Sequence, residues 1–468
     1  MDQVTAWLEG VSARELLRVD GYARQFRYEG PVLGGSQEWT REVLERSTTA
    51  AALACMHPDG RVRERALRML ARSDSSLSDR MIAVRVGDHV AAVSTLASQA
   101  VLSRTSPVHA AAILPILQRH QSRYRAADSG DVYLETLVRA YGADQTWEAL
   151  RCSADRDLRR FAFRRSVELG MLDSVAAADL LPRERDQVVR SLLTHVIADQ
   201  ADPPTIRAVL LRARSAESRV LGLLRLHASD LEAGEVAPLL VDSSVLVRLW
   251  ARRRWQELGQ DPTQAYRDLI RSAPTPTKQA RAYVGLAESG SAIERVEVLG
   301  LVHATEPALQ KVGLRLLVGH ATPADVPDLL ALVRSPHSGI ARLAGTVLAA
   351  HPNLWALDQI ADLKSDADSE IRRRAWWLHR GRGGWESLIA DLELLHDAEP
   401  SLAALGRQPS APMYFEPTDV QRERITGLLA DATISREQKL GIALAAGLPD
   451  VVDMLRARPP RPPAEPAF

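Results

Sequence analysis

Four stretches of the chain repeat one arrangement: HPDGRVRERALRML (57–70), SADRDLRRFAFRRS (153–166), DSSVLVRLWARRRW (242–255) and SDADSEIRRRAWWL (365–378). Each has an Asp-bearing turn, an apolar residue, usually an Arg directly after it, and a small residue four positions on. With the apolar residue as anchor, the series is Val62, Val93, Leu158, Val188, Ser218, Val247, Lys278, Leu309, Ile340 and Ile371, where phase alone places Ser218 and Lys278. Successive anchors are 29 to 31 residues apart, except for a double gap of 65 between Val93 and Leu158. The position four after the anchor reads Ala66, Ala97, Ala162, Leu192, Gly222, Ala251, Ala282, Gly313, Ala344 and Ala375. A small residue at fixed phase lets neighbouring helices approach closely, as stacked hairpins must to share one core.

An apolar stretch precedes each turn, such as VAPLL (236–240) or VPDLLALV (326–333). It reads as a first helix, with Pro tolerated in the first turn. The turn Asp then caps the second helix. Strand-like alternation is absent. The expectation is an all-α chain of about 11 to 14 helical hairpins.

The segments Val62-Arg63…Ala66, Leu158-Arg159…Ala162, Val247-Arg248…Ala251 and Ile371-Arg372…Ala375 resemble the HEAT-like repeat family, whose second helix opens D-x-x-x-V-R-x-x-A or close to it. The period of about 31 residues is similar to that of the short bacterial class, which includes phycobilin-lyase-type repeats. Tetratricopeptide and ankyrin repeats have nearby periods, but their Trp/Leu-Gly/Tyr and Thr-Pro-Leu-His patterns are not found. The resemblance implies a right-handed α-solenoid whose second helices line the concave surface.

Outside the repeats, residues 1–45 read as an N-terminal helical cap, and 46–395 as the array, with one irregular repeat at 109–152. Residues 396–456 read as a C-terminal cap of two short helices after a loop at 406–419, and 457–468 as a Pro-rich disordered tail. The N-terminus shows no signal-peptide pattern, and no apolar run reaches the ~18 residues of a membrane helix. Cys55 and Cys152 are too far apart for a metal-binding pair or a disulfide framework. A cytoplasmic protein is expected, with no membrane partner.

No nucleotide-binding, metalloprotease or nucleophile-elbow motif is found, so neither enzyme activity, cofactor nor metal is expected. Net charge is zero, which leaves no bulk field for nucleic acid. Local patches remain. Apolar residues concentrate zero, four, five, eight and nine after the anchor, so positions two, three, six and seven should face away from the core. Of those forty residues fifteen are basic, and Glu64 is the one acid. An Arg ladder with turn Asp residues accounts for Arg63, Arg159, Arg248 and Arg372, and largely for position two: Arg160, Arg190, Lys311, Arg342 and Arg373. It does not cover positions three, six and seven: Arg65, Arg281 and Arg374; Arg68, Arg164, Arg253 and Arg315; Arg165, Arg225 and Arg254. Position three is further expected in the first helical turn, where the helix dipole disfavours a cation.

Trp250, Trp255, Trp376 and Trp377 lie among these Arg residues. Trp255 and Trp376 fall on the apolar face, so Trp377 is the one expected in solvent. The ten Arg residues and Trp377 are therefore the candidate anionic-partner site. The leading expectation is a non-enzymatic scaffold whose basic concave face engages an acidic segment of a protein partner. The alternative is a nucleic-acid-binding solenoid, because an aromatic-plus-Arg surface grips single strands. Alkylation-repair glycosylases with HEAT-like repeats also place Trp, Asp and Arg on a basic concave face, although none of their catalytic positions can be carried onto this chain.

Overall fold

The computed structural model describes residues 2–27, 30–31, 33–120, 128–407, 409, 415–431 and 433–456. The tail at 457–468, and most of 408–414 within the expected loop, lie outside these residues. Most of the described residues are helical. The strands among the described residues are two of two residues each, paired antiparallel with Phe26 opposite Pro31 and Arg27 opposite Gly30.

The chain forms two compact units, Met1–Leu231 and Glu232–Phe468. The first opens with helices Asp2–Gly10, Ala13–Ala23 and Arg41–Arg46. Six helix pairs follow: Thr48–Ala54 with Gly60–Leu70, Ser76–Val86 with Ala91–Leu102, Pro107–His120 with Ser129–Tyr141, Ala143–Arg151 with Arg156–Glu168, Ser174–Leu180 with Gln187–Gln200, and Pro203–Val209 with Ala216–Arg225. The second unit also has six: Ala233–Leu240 with Val245–Glu257, Pro262–Ser272 with Pro276–Glu288, Arg295–Val302 with Pro307–Leu317, Val326–Val333 with Ser338–Ala350, Ala361–Lys364 with Ser369–Arg380, and Gly384–Leu394 with Pro400–Gly406. It ends in helices Asp419–Asp431, Arg436–Ala445 and Pro449–Arg456. Packing runs from neighbour to neighbour. Gly60–Leu70 lies against Ala91–Leu102, Gln187–Gln200 against Ala216–Arg225, and Pro307–Leu317 against Ser338–Ala350.

Side-chain caps start many second helices. Asp59, Asp155 and Asp368 accept the backbone N–H of Arg61, Leu158 and Glu370, satisfying donors that the helix cannot. Nine of the ten sequence anchors are the third residue of their helix. Val188 is the exception. Asp186 accepts from the N–H of both Val188 and Val189, and the helix opens at Gln187. Its third residue is therefore Val189, which is buried, while Val188 is 44% exposed. Two adjacent valines fit the period equally well, and the cap decides between them. The true position four is then Leu193, fully buried. With the anchor third, position three is the sixth helical residue, beyond the first turn, so the expected dipole conflict there does not arise.

The small residue at position four has a steric cause. A Cβ on Gly313 would stand 2.5 Å from the Val302 nitrogen, and one on Gly222 would stand 2.9 Å from Leu211 Cδ2. In both cases the first helix of the same pair ends against the glycine. The repeat also extends past 396. Leu402 is the third residue of Pro400–Gly406 and is buried, and Gly406 at position four would bring a Cβ to 2.5 Å from the Asp391 carbonyl. Three helices, rather than the expected two, follow.

Arg at position one holds five of the turns. Arg63, Arg190, Arg219, Arg248 and Arg372 each donate from Nη1 to the carbonyls five and six residues earlier. Arg63 and Arg372 turn their other edge to an acid 25 residues on, Asp88 and Asp397. Arg190, expected at position two, is at position one once the helix is anchored on Val189.

Position six is the row that faces solvent. In the first unit it holds Arg68, Gln99, Arg164, His195 and Leu224, all exposed. In the second it holds Arg253, Arg315, Thr346 and Trp377, also exposed, and a half-buried Val284. Position seven differs from expectation: Ala100, Val347 and Leu378 are buried there, because it lies beside positions zero and four on the helical wheel.

Candidate functional site

The eleven candidate residues separate into paired and unpaired groups. Arg68 pairs with Glu64, Arg165 with Glu168 at 2.6 Å, and Arg225 with Asp199. Arg253 bonds Glu257 at 2.8 Å, and Arg254 shares that carboxylate. Arg374 leaves the exposed row altogether. It donates to the Val333 carbonyl at 2.8 Å and lies 3.5 Å from Glu370, so it ties two consecutive pairs together. Among the described residues Arg65 reaches only the Arg61 carbonyl of its own helix, at 3.4 Å. Arg164, Arg281 and Arg315 have no hydrogen bond or ion pair to another described residue, and of these Arg164 and Arg315 are exposed while Arg281 is half-buried. Trp377 is 49% exposed. Trp376 is half-buried, donating to Asp391 at 3.0 Å with the Arg380 guanidinium 5.5 Å from its ring centre.

Two of the compensating acids sit one turn past position six. Glu168 and Glu257 are both at position ten, outside positions two, three, six and seven. Between them they pair with Arg165, Arg253 and Arg254.

Arg164 borders an open cleft on the second helices of the first unit, about 600 Å³. Arg160 and Arg164 form one wall, and Gln187, Val188, Ser191, Leu192 and His195 form the floor. Glu217 closes the far side. Arg160 is committed, with Nε 3.0 Å from both carboxylate oxygens of Asp186. The Ser191 hydroxyl donates to Glu217 at 2.5 Å. The cleft therefore offers one cation with no partner among the described residues, one imidazole, one hydrogen-bonded carboxylate and an apolar floor of exposed Val188 and half-buried Leu192. A second hollow, about 220 Å³, gathers Arg41, Arg65, Arg68 and Arg72 over Leu44 and Met69.

Two buried polar networks reach beyond the Arg ladder that the sequence shows. In the first unit Asp20, Arg63, Arg85 and Asp88 are all buried and paired among themselves. In the second, His379 is fully buried with Nε2 2.8 Å from Glu386, and its Nδ1 lies 2.9 Å from Lys364 Nζ and 3.3 Å from Glu393. Gln421 and Arg424 of the helix Asp419–Asp431 reach across to Glu386 and Glu393. Burial pushes the Glu393 carboxyl up, but hydrogen bonds from His379 and Lys364, with the Lys364 and Arg424 charges, carry it down to about 2. The partners are 29 and 31 residues from Glu393, and 65 residues separate Arg85 from Asp20; no local spacing marks such pairs. The cavity beside His379 is about 70 Å³, room for a water or two.

Among the described residues, no group of three or more His, Cys, Asp or Glu is placed to hold a metal ion. No described helix is long and apolar enough to cross a membrane. No protein-family model matches the chain, and no curated protein matches it.

Proposed function

We propose that the chain is a HEAT-like binding scaffold, each unit built as a right-handed α-solenoid, whose exposed second-helix faces hold an acidic segment of a partner protein. The observation that carries this reading is the cleft over Gln187–Gln200. Its unpaired Arg164 stands beside an apolar floor of Val188 and Leu192. A cation next to apolar surface suits a ligand that offers a carboxylate and an apolar side chain together. Arg315 offers a second such cation in the other unit. A duplex would need a run of phosphate contacts, and five of the ten candidate Arg residues are already paired at the surface with acids of their own chain.

The test is fluorescence-anisotropy titration of the full chain with a labelled peptide of alternating Glu and Leu residues, beside labelled duplex and single-stranded DNA. The peptide should bind, and Arg164→Glu should weaken it roughly tenfold at a stability cost within ~0.5 kcal/mol. Its affinity should fall only modestly between roughly 50 and 200 mM salt. Tight DNA binding that drops about 10³-fold over that range, with no peptide binding, would replace this reading by a nucleic-acid-binding one.

A further inference from the structure

His195 stands in that cleft with one of its two nitrogens already assigned. Nδ1 lies 2.8 Å from the Ser191 carbonyl oxygen, one turn earlier on the same helix. A carbonyl can only accept, so Nδ1 carries a proton whether the ring is neutral or charged. In the neutral ring Nε2 is then a lone-pair acceptor. His195 lines the cleft and is solvent-exposed, so a carboxylate there meets a second acceptor and is repelled. Protonation reverses this: Nε2 becomes a charged donor, and its hydrogen bond to a carboxylate is charge-assisted. Histidine is the side chain that makes this change between pH 5 and 8.

We infer that His195 gates the cleft, so that an acidic peptide segment is held between Arg164 and His195 when the imidazole is protonated and released when it is neutral. The inference rests on the acidic-segment reading above. Arg164 and His195 occupy position six of consecutive second helices, Arg156–Glu168 and Gln187–Gln200, which pack on each other. Packed helices are 8–10 Å apart, a gap that an arginine and an imidazole can close around one carboxylate.

The charged groups around the ring permit this. From Arg156–Glu168 come Arg164, which has no carboxylate partner among the described residues, and Arg160, which is held by Asp186. From Ala216–Arg225 comes Glu217, whose carboxylate already accepts from Ser191. On the histidine's own helix, Asp199 is paired with Arg225. Glu217 is the cleft-lining carboxylate that could claim the protonated ring in place of a ligand, and the test must separate the two.

The test measures binding of the Glu/Leu peptide to the full chain between about pH 6 and pH 8, in wild type, His195→Gln and Glu217→Gln. The expected result is binding about five- to tenfold tighter at the acid end, no such slope in His195→Gln, and a retained slope in Glu217→Gln. Binding without a slope in wild type would overturn the inference while leaving the acidic-segment reading intact. A slope that disappears in Glu217→Gln would assign the proton to an internal pair and also overturn it. Absence of peptide binding at every pH would remove both. Nitrogen-15 spectra of the free protein give a reading independent of ligand: neutral His195 should carry its proton on Nδ1, and finding it on Nε2 would sink the proposal.

Discussion

Arg63 donates from Nε and Nη2 to the two carboxylate oxygens of Asp88, both at 2.8 Å, and neither side chain is reached by solvent. The same carboxylate accepts from Arg85 at 2.9 Å and from the Val90 N–H at 3.0 Å. Taking two ions out of water is costly, and removing one partner leaves the other charged and alone. Asp88→Asn should therefore lower stability by about 3–5 kcal/mol in urea unfolding. A loss below ~1 kcal/mol would mean that the network is not held as described.

The same pair sets an acid limit. Burial pushes the Asp88 carboxyl up, but the Arg63 hydrogen bond, the Val90 N–H and the two arginine charges outweigh it and hold it at about 2. A depressed carboxylate contributes stability that is complete above its ordinary value of 3.8 and is lost as pH falls toward about 2. Wild-type melting temperature should fall steeply across that window, and the fall should be shallower in Asp88→Asn.

Glycine content separates into two kinds. Gly313→Ala forces a methyl against the Leu301–Val302 backbone and should cost about 1–3 kcal/mol. Gly300, exposed in the helix Arg295–Val302, has nothing within 4 Å of such a methyl. Gly300→Ala should be neutral or stabilise by up to ~1 kcal/mol through helix propensity. Thermal melts of the two variants check the sign of each.

The two cysteines should react differently. Cys55 is buried, and burial pushes its thiol up to about 12, so it forms almost no thiolate at neutral pH. Cys152 is exposed. An aromatic disulfide reagent should titrate one thiol per native chain and two after denaturation. Two fast thiols in the native protein would contradict the packing around Cys55.

Glu393 fastens the helix Asp419–Asp431 to the last helix pair through Arg424, and it also holds Lys364. Glu393→Gln should cost about 2 kcal/mol or more, since hydrogen bonds to charged groups are lost. Hydrogen exchange should rise first in Asp419–Asp431 and the helices after it. Exchange unchanged there would show that the apolar core around Trp385, Ile425 and Leu429 seats these helices without the ion pairs.

The sequence by itself determined the period, the all-helical class, the burial of anchors such as Val62, Val247 and Ile340, and the small residue behind each. These follow from helical periodicity and capping, which act over one or two turns and are written in adjacent residues. Tertiary structure decided the rest. Val188 and Val189 are indistinguishable by period, and the Asp186 cap chose which one faces the core. The arginines at positions three, six and seven read alike in sequence, yet Arg374 spans to the Val333 carbonyl while Arg164 is left facing an open cleft. Some of these cations are neutralised by an acid one turn away on the same helix, as Arg165 is by Glu168, a spacing written in adjacent residues; Arg225 is paired with Asp199, 26 residues away, and no local pattern carries that distance.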